Sequence, residues 1–220
     1  MHLSKKTKFL ITTILLLMLT IFFIVTLKLV DVKPIGPQET RVGYATLNKA
    51  VFDKVGTSSL WLDVTKYMGY GCLAVAGLFT VLAVIQLIRR WSLSAVDRHF
   101  KGVVVLYLAV LVVEALFRYL VINRRPVLLP GETVPAPSFP STHTMIACVA
   151  MGSAVMMIDY YVENSLAQAL LQFFCILCMI ILVGGRLLAG VHWLTDIIGG
   201  ILISLVLLTT YRGYVDIEKK

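Results

Sequence analysis

The chain has 220 residues, 59% of them hydrophobic and only 15% charged, with a mean hydropathy of +0.88 and a formal net charge of +8. One soluble core cannot hold that much apolar surface, so the composition excludes a water-soluble globular domain and implies an integral membrane protein. The positive charge sits in short clusters beside apolar runs, without interleaved exposed aromatics. That pattern excludes nucleic acid as a partner and fits anionic lipid headgroups.

Six stretches are long enough to cross a hydrocarbon core of about 30 Å at about 1.5 Å per residue: 9–27, 67–88, 102–122, 142–160, 165–185 and 187–211. They predict an all-α fold, an integral membrane six-transmembrane-helix bundle making one membrane domain over 1–220. The first stretch follows Lys5, Lys6 and Lys8 as a signal peptide would. Its apolar run is too long for one and no small-residue cleavage site follows, so it reads as a retained helix. Residues 31–66 form an extracytoplasmic loop in which Val42, Ala45, Lys49 and Phe52 suggest a short interfacial helix. The connection 123–141 contains Pro126, Pro130, Gly131, Pro135 and Pro137, so it is not helical throughout and is expected to fold over whatever binds below it. Cys175 and Cys178 have CxxC spacing, but no second ligand pair accompanies them. The four cysteines are read as lipid-facing or packed thiols, with no metal and no cofactor.

Dense basic clusters at Lys5/Lys6/Lys8, Arg89/Arg90/Arg98/Lys101 and Arg212/Lys219/Lys220 put both termini in the cytoplasm of a cell (plasma) membrane. His2 and His99 fall on that side and read as solvated surface residues. With six crossings, the end of the third span, the start of the fourth and the join of the fifth and sixth share the opposite, extracytoplasmic face. Arg118, Arg124, Arg125, His143, Arg186 and His192 thereby become neighbours in depth. Charged side chains within a bilayer cost roughly 2.5–3.5 kcal/mol each on insertion scales, so such a set marks a reaction site or a substrate path.

The chemistry of the set is that of phosphoryl transfer. Arginines offer planar forks for a phosphate dianion, and two histidines can serve as nucleophile and proton donor. His192 and Asp196 are four apart, on one helix face, where a carboxylate can hold one ring nitrogen and leave the other free to attack. Ser141 is a good N-cap for the fourth span, whose first free N–H groups and dipole favour an anion near His143. Arg124 lies beside Arg125 out of register and reads as an interfacial, snorkelling side chain. Glu114, four residues before Arg118, offers the bland alternative of an intrahelical ion pair.

Arg118-x6-Arg125-Pro126, then Pro140-Ser141-Thr142-His143, then Arg186-x5-His192-x3-Asp196 resemble the three signature motifs of the type 2 phosphatidic acid phosphatases, integral membrane relatives of bacterial acid phosphatases and vanadium haloperoxidases. The resemblance implies metal-independent catalysis in which His192 forms a phosphohistidine, Asp196 orients it, and His143 acts as general acid and then base. It further implies that Arg118, Arg125, Ser141, Thr142 and Arg186 bind the phosphate. Three positions depart from the usual pattern: Arg118 replaces a lysine, Thr142 a glycine and Gly185 a serine. Thr142 is expected to make turnover slower or more selective, and Thr142→Gly tests that.

The expected partners are a membrane lipid phosphate and the bilayer, with no nucleic acid and no obligatory protein partner. Undecaprenyl diphosphate ranks first as substrate, ahead of phosphatidylglycerophosphate and phosphatidic acid, with a lipid phosphotransferase as a close variant. A transporter lining its path with the same residues is the rival of another class. Clustering at one membrane face and the lack of two matching halves oppose it.

Overall fold

The computed structural model describes residues 4–216; His2, Lys219 and Lys220 lie outside them. Among the described residues the elements run α1 (Lys5–Leu29), β1 (Lys33–Pro34), β2 (Arg41–Val42), α2 (Ala45–Val55), α3 (Ser59–Arg90), α4 (Arg98–Leu120), α5 (Thr142–Tyr161), α6 (Ser165–Leu188) and α7 (Leu194–Val215). Six of the helices, all but α2, are long and apolar enough to cross a membrane. The protein is a multi-pass all-α membrane bundle.

Two boundaries differ from expectation. The second crossing begins at Ser59, inside the segment expected to be loop, because the Ser58 hydroxyl caps the Trp61 N–H and starts the helix two turns early. At 32 residues α3 is about 48 Å long, so its first turns, with Asp63 and Lys66, extend beyond the hydrocarbon core. The last crossing begins at Leu194, since residues 189–193 form a turn. Gly190 in that turn has φ +66°, and a Cβ there would lie 2.1 Å from the Gly56 carbonyl oxygen. Only glycine allows both the left-handed backbone and the close approach of the chain just before α3.

α5 is the central helix, packed against α3, α4, α6 and α7, while α1 lies along α7. Small residues let the others approach: Ala147, Ala150, Ser153 and Ala154 on α5, and Gly199, Gly200 and Ser204 on α7, are all buried. Phe22, Leu78, Leu111 and Phe173 on the outer helices are exposed and face the position of lipid. Cys72 and Cys175 pack with Ala147 and Ala150 in an apolar cluster between α3, α5 and α6.

One end of the bundle gathers residues 30–58, 121–141 and 189–193; the other carries the short turns 91–97 and 162–164. At that second end His99 is buried, contrary to its reading as a solvated residue. Its Nδ1 lies 3.1 Å from Asp97 Oδ1, and its ring centroid 3.7 Å from that of Tyr160.

The first end is sealed by polar hydrogen bonds. Lys28 donates from α1 to the carbonyls of Val121 and Ile122 at 3.1 Å each, capping the end of α4. The Asp31 carboxylate pairs with Lys33 at 2.7 Å and accepts the Thr46 N–H at 2.7 Å; these contacts lower its pKa to about 2 and cap α2.

The helix expected near 42–52 is α2, but its buried residues are Ala45 and Asn48, with Phe52 half-buried beside them and Lys49 exposed. The reason is specific. Asn48 Nδ2 donates to the Gly43 carbonyl and to Thr195 Oγ1 at 2.9 Å each, its Oδ1 accepts the Thr195 N–H at 3.2 Å, and Phe52 lies 5.7 Å from Trp193 between ring centroids. α2 is therefore keyed onto the start of α7 by a buried amide. Asn48→Ala should destabilise the protein by about 1–3 kcal/mol, because it strands buried partners. Lys49→Ala should stay within about 0.5 kcal/mol. Thermal unfolding of both variants in detergent checks this.

Candidate active site

At the sealed end a cavity of about 350 Å³ is lined by Glu114, Phe117, Arg118, Arg125, Ala136–Pro140, Thr142, His143 and His192. It draws on the last turn of α4, the 121–141 loop, the first turn of α5 and the turn before α7. The loop is a narrow strap. The Arg125 N–H donates to the Ala136 carbonyl at 3.0 Å and the Ser138 N–H to the Asn123 carbonyl at 2.9 Å, while Arg124 Nη1 donates to the Pro135 carbonyl at 2.8 Å. The Arg124 carbonyl in turn accepts Trp193 Nε1–H at 2.7 Å. Arg124 thus closes the strap and ties it to α7, a structural role that the reading as a snorkelling side chain did not contain.

His192 is buried, and its Nδ1 lies 3.1 Å from the Ser138 carbonyl oxygen. A carbonyl can only accept, so Nδ1 carries the proton and Nε2 holds the lone pair. The expected contact with Asp196 is longer: Oδ2 lies 3.8 Å from Nδ1, beyond hydrogen-bonding distance. Asp196, with 0% exposure, spends its oxygens elsewhere, Oδ2 accepting the Trp193 N–H at 3.0 Å and Oδ1 accepting Asn123 Nδ2–H at 2.8 Å. The carboxylate sits at N3 of α7 and accepts the main-chain N–H of the N-cap residue Trp193, the role of an acid at a helix start. Sequence reasoning missed Ser138, because a main-chain acceptor leaves no signature in side-chain chemistry, and it missed Asn123 and Asn48, which stand outside the motifs.

The arginines fall into two groups. Arg186, 2% exposed, donates from Nη1 to Thr65 Oγ1 at 3.2 Å, and its Nε has no partner among the described residues. Arg125 Nε is likewise buried and unpartnered. Arg125 lines the cavity with His192, whereas Arg186 is not among its lining residues. Arg118 is different. Its side chain is 75% exposed, and Nε and Nη2 both donate to Glu114 Oε1, at 3.2 and 2.8 Å. It stands at the outer wall, ion-paired.

Ser141 is fully buried as the N-cap of α5, and its Oγ accepts from Thr144 Oγ1 at 3.0 Å, so its hydroxyl oxygen serves the helix; it does not line the cavity. Thr142 and His143, the first two residues of α5, do line it. Gly69 on α3 leaves room for the imidazole: a Cβ there would stand 3.1 Å from His143 Cδ2. Gly185 is filled from outside, its Cβ position lying 2.6 Å from Thr65 Cγ2 and 2.8 Å from Trp61 Cε3, so the serine usual in the resembling family would not fit.

Burial lowers the His192 pKa below the ordinary 6.5, Asp196 raises it in part, and Arg186 and Arg125 lower it further. An unfolded histidine takes up a proton near 6.5 and the native one only at lower pH, so acidification through that range costs the folded state stability. NMR of the 15N-labelled imidazoles, assigned with His192→Gln, should show His192 as the Nδ1–H tautomer when neutral, with a midpoint below 6.5. A midpoint at or above 6.5 contradicts it.

A sequence model of the PAP2 superfamily matches residues 72–219. No curated protein matches the chain. Among solved structures, the crystal structure of a transmembrane PAP2 type phosphatidylglycerolphosphate phosphatase from Bacillus subtilis aligns with a TM-score of 0.63 at 17% identity, covering 94% of this chain and 98% of that one. At that identity the likeness speaks for the fold.

Proposed function

The chain belongs to the PAP2 superfamily, and we propose that this membrane phosphatase removes the terminal phosphate of a lipid phosphate or diphosphate through a phosphohistidine on His192. The observation that carries the reading is the pair of buried, unpartnered guanidinium Nε–H groups of Arg125 and Arg186, with Arg125 on the same cavity wall as His143 and His192. Each stranded donor costs about 1–3 kcal/mol, and a phosphate dianion repays both.

In the proposed reaction His192 Nε2 attacks phosphorus as the bond to the lipid oxygen breaks, and His143 donates a proton to that oxygen. Nδ1 keeps its proton, so the phosphorylated ring is cationic, and Asp196 at 3.8 Å stabilises it without taking the proton. Water then attacks the phosphohistidine, His143 accepts its proton, the N–P bond breaks and inorganic phosphate leaves. The scheme uses no metal ion. If a second alcohol replaces water, the same chemistry is phosphotransfer.

A second, apolar groove of about 240 Å³ runs between α3, α4 and α5, lined by Leu73, Gly77, Tyr107, Val110 and Val149, and shares Glu114 with the cavity. It suits a lipid tail whose phosphate lies in the cavity. Arg118, exposed on the wall of the cavity that the histidines also line, suits a second phosphoryl group. Undecaprenyl diphosphate has one directly attached. Phosphatidylglycerophosphate, the substrate class named for the Bacillus subtilis structure, has one across a glycerol, whereas phosphatidic acid has none. The basic turn Arg89, Arg90, Arg98 and Lys101 at the far end favours the cytoplasmic side for that end, which supports an outward-facing site.

The test is phosphate release in detergent with chelator present. His192→Ala should abolish it, and Arg125→Ala should lower kcat/KM by about 10²–10³. Arg118→Ala should raise KM about tenfold for the two substrates with a second phosphoryl group and have less than about a threefold effect on phosphatidic acid. Equal losses on all three lipids place Arg118 on the scissile phosphate. Release by His192→Ala at the native rate rejects the mechanism.

A further inference from the structure

Thr65 lies on α3, outside the segment matched by the family model and outside all three motifs. It is 0% exposed. Its hydroxyl proton is committed to its own helix, donated to the Trp61 carbonyl at 2.7 Å, with Leu62 O at 3.2 Å. A hydroxyl has one proton, so the oxygen meets Arg186 as an acceptor, and Nη1 donates to it at 3.2 Å. No other protein group is hydrogen-bonded to that guanidinium among the described residues, and its Nε is left bare.

Packing makes this contact possible. Gly185 precedes Arg186, and α3 fills the space a side chain there would need with Thr65 Cγ2 and Trp61. The methyl of Thr65 therefore seats on α6 while its oxygen engages the next residue. One corner of the arginine fork is fixed, and its remaining donors are fixed with it.

We propose that Thr65 is a positioning residue for phosphate binding, holding Arg186 by one amine so that its unpartnered edge meets the phosphoryl oxygens. The proposal rests on the phosphatase reading above. The alternative is a threonine that merely packs two helices, whose loss would lower stability without changing anion affinity.

The full chain in detergent is assayed with a lipid phosphate, with orthovanadate as competitive inhibitor. Thr65→Val keeps the methyl contact on Gly185 and removes the acceptor; it should weaken orthovanadate inhibition and raise KM about tenfold, with a smaller change in kcat. Thr65→Ser keeps the acceptor and should stay within about twofold. Arg186→Lys loses the fork, and adding Thr65→Val to it should cost nothing further, since the threonine acts through the guanidinium. Should Thr65→Val fail to fold, Thr65→Ala carries the same expectation. Unchanged inhibition in the hydroxyl-free variant, or losses that multiply in the double variant, overturn the positioning role while the phosphatase reading stands. A native protein that neither releases phosphate nor binds orthovanadate takes down both.

Discussion

A single hydrogen bond, from His192 Nδ1–H to the main-chain carbonyl of Ser138, decides which ring nitrogen is available for chemistry. Everything around it serves to keep those two groups in place. Ser138 is held by its own N–H on the Asn123 carbonyl, and Asn123 reaches with its side chain to Asp196, which caps the helix that begins two residues after His192. Thr195 joins the same network to Asn48, so α2, the strap and α7 are one hydrogen-bonded unit. In a bundle whose outer surface faces hydrocarbon, the amides and carboxylate of such a unit must find partners internally, because a half-paired amide or carboxylate would be costly.

Within that frame the Ser138 hydroxyl is also buried without a protein partner, but the unpaired guanidinium donors are charged. Arg186 has one protein partner and Arg125 Nε has none, although both are withdrawn from solvent. Arg118, nearer the outside, has found its carboxylate in Glu114. The contrast separates the proposed inner anion site from an outer residue that already holds a carboxylate and shares it with any phosphoryl group it meets. It also accounts for Glu114, a carboxylate on the wall of an anion cavity, which would repel phosphate if Arg118 did not hold it.

Much of this was legible in the sequence. Apolar length showed six crossings, and the order of the three motifs brought their residues to one end, because helix joins must alternate between faces. Helix periodicity placed Asp196 near His192 but could not say that its oxygens would be taken by Trp193 N–H and Asn123, leaving the ring to a carbonyl 54 residues away. The same blindness covers Asn48, where an apolar stripe pointed to Lys49, and Thr65, whose partner lies 121 residues on. Main-chain acceptors and distant polar contacts have no periodicity. The ends of α3 and α7 shifted because a serine cap and a glycine turn outweighed hydropathy.

The most direct measurement is the position of the phosphoryl group on the enzyme. Native protein given a phosphorus-labelled lipid and quenched in alkali, where phosphohistidine survives, should carry the label on Nε2 of His192, as peptide mapping and phosphorus NMR of the isolated residue distinguish the two ring isomers. Label on Nδ1, on His143, or on no histidine under turnover would contradict the account.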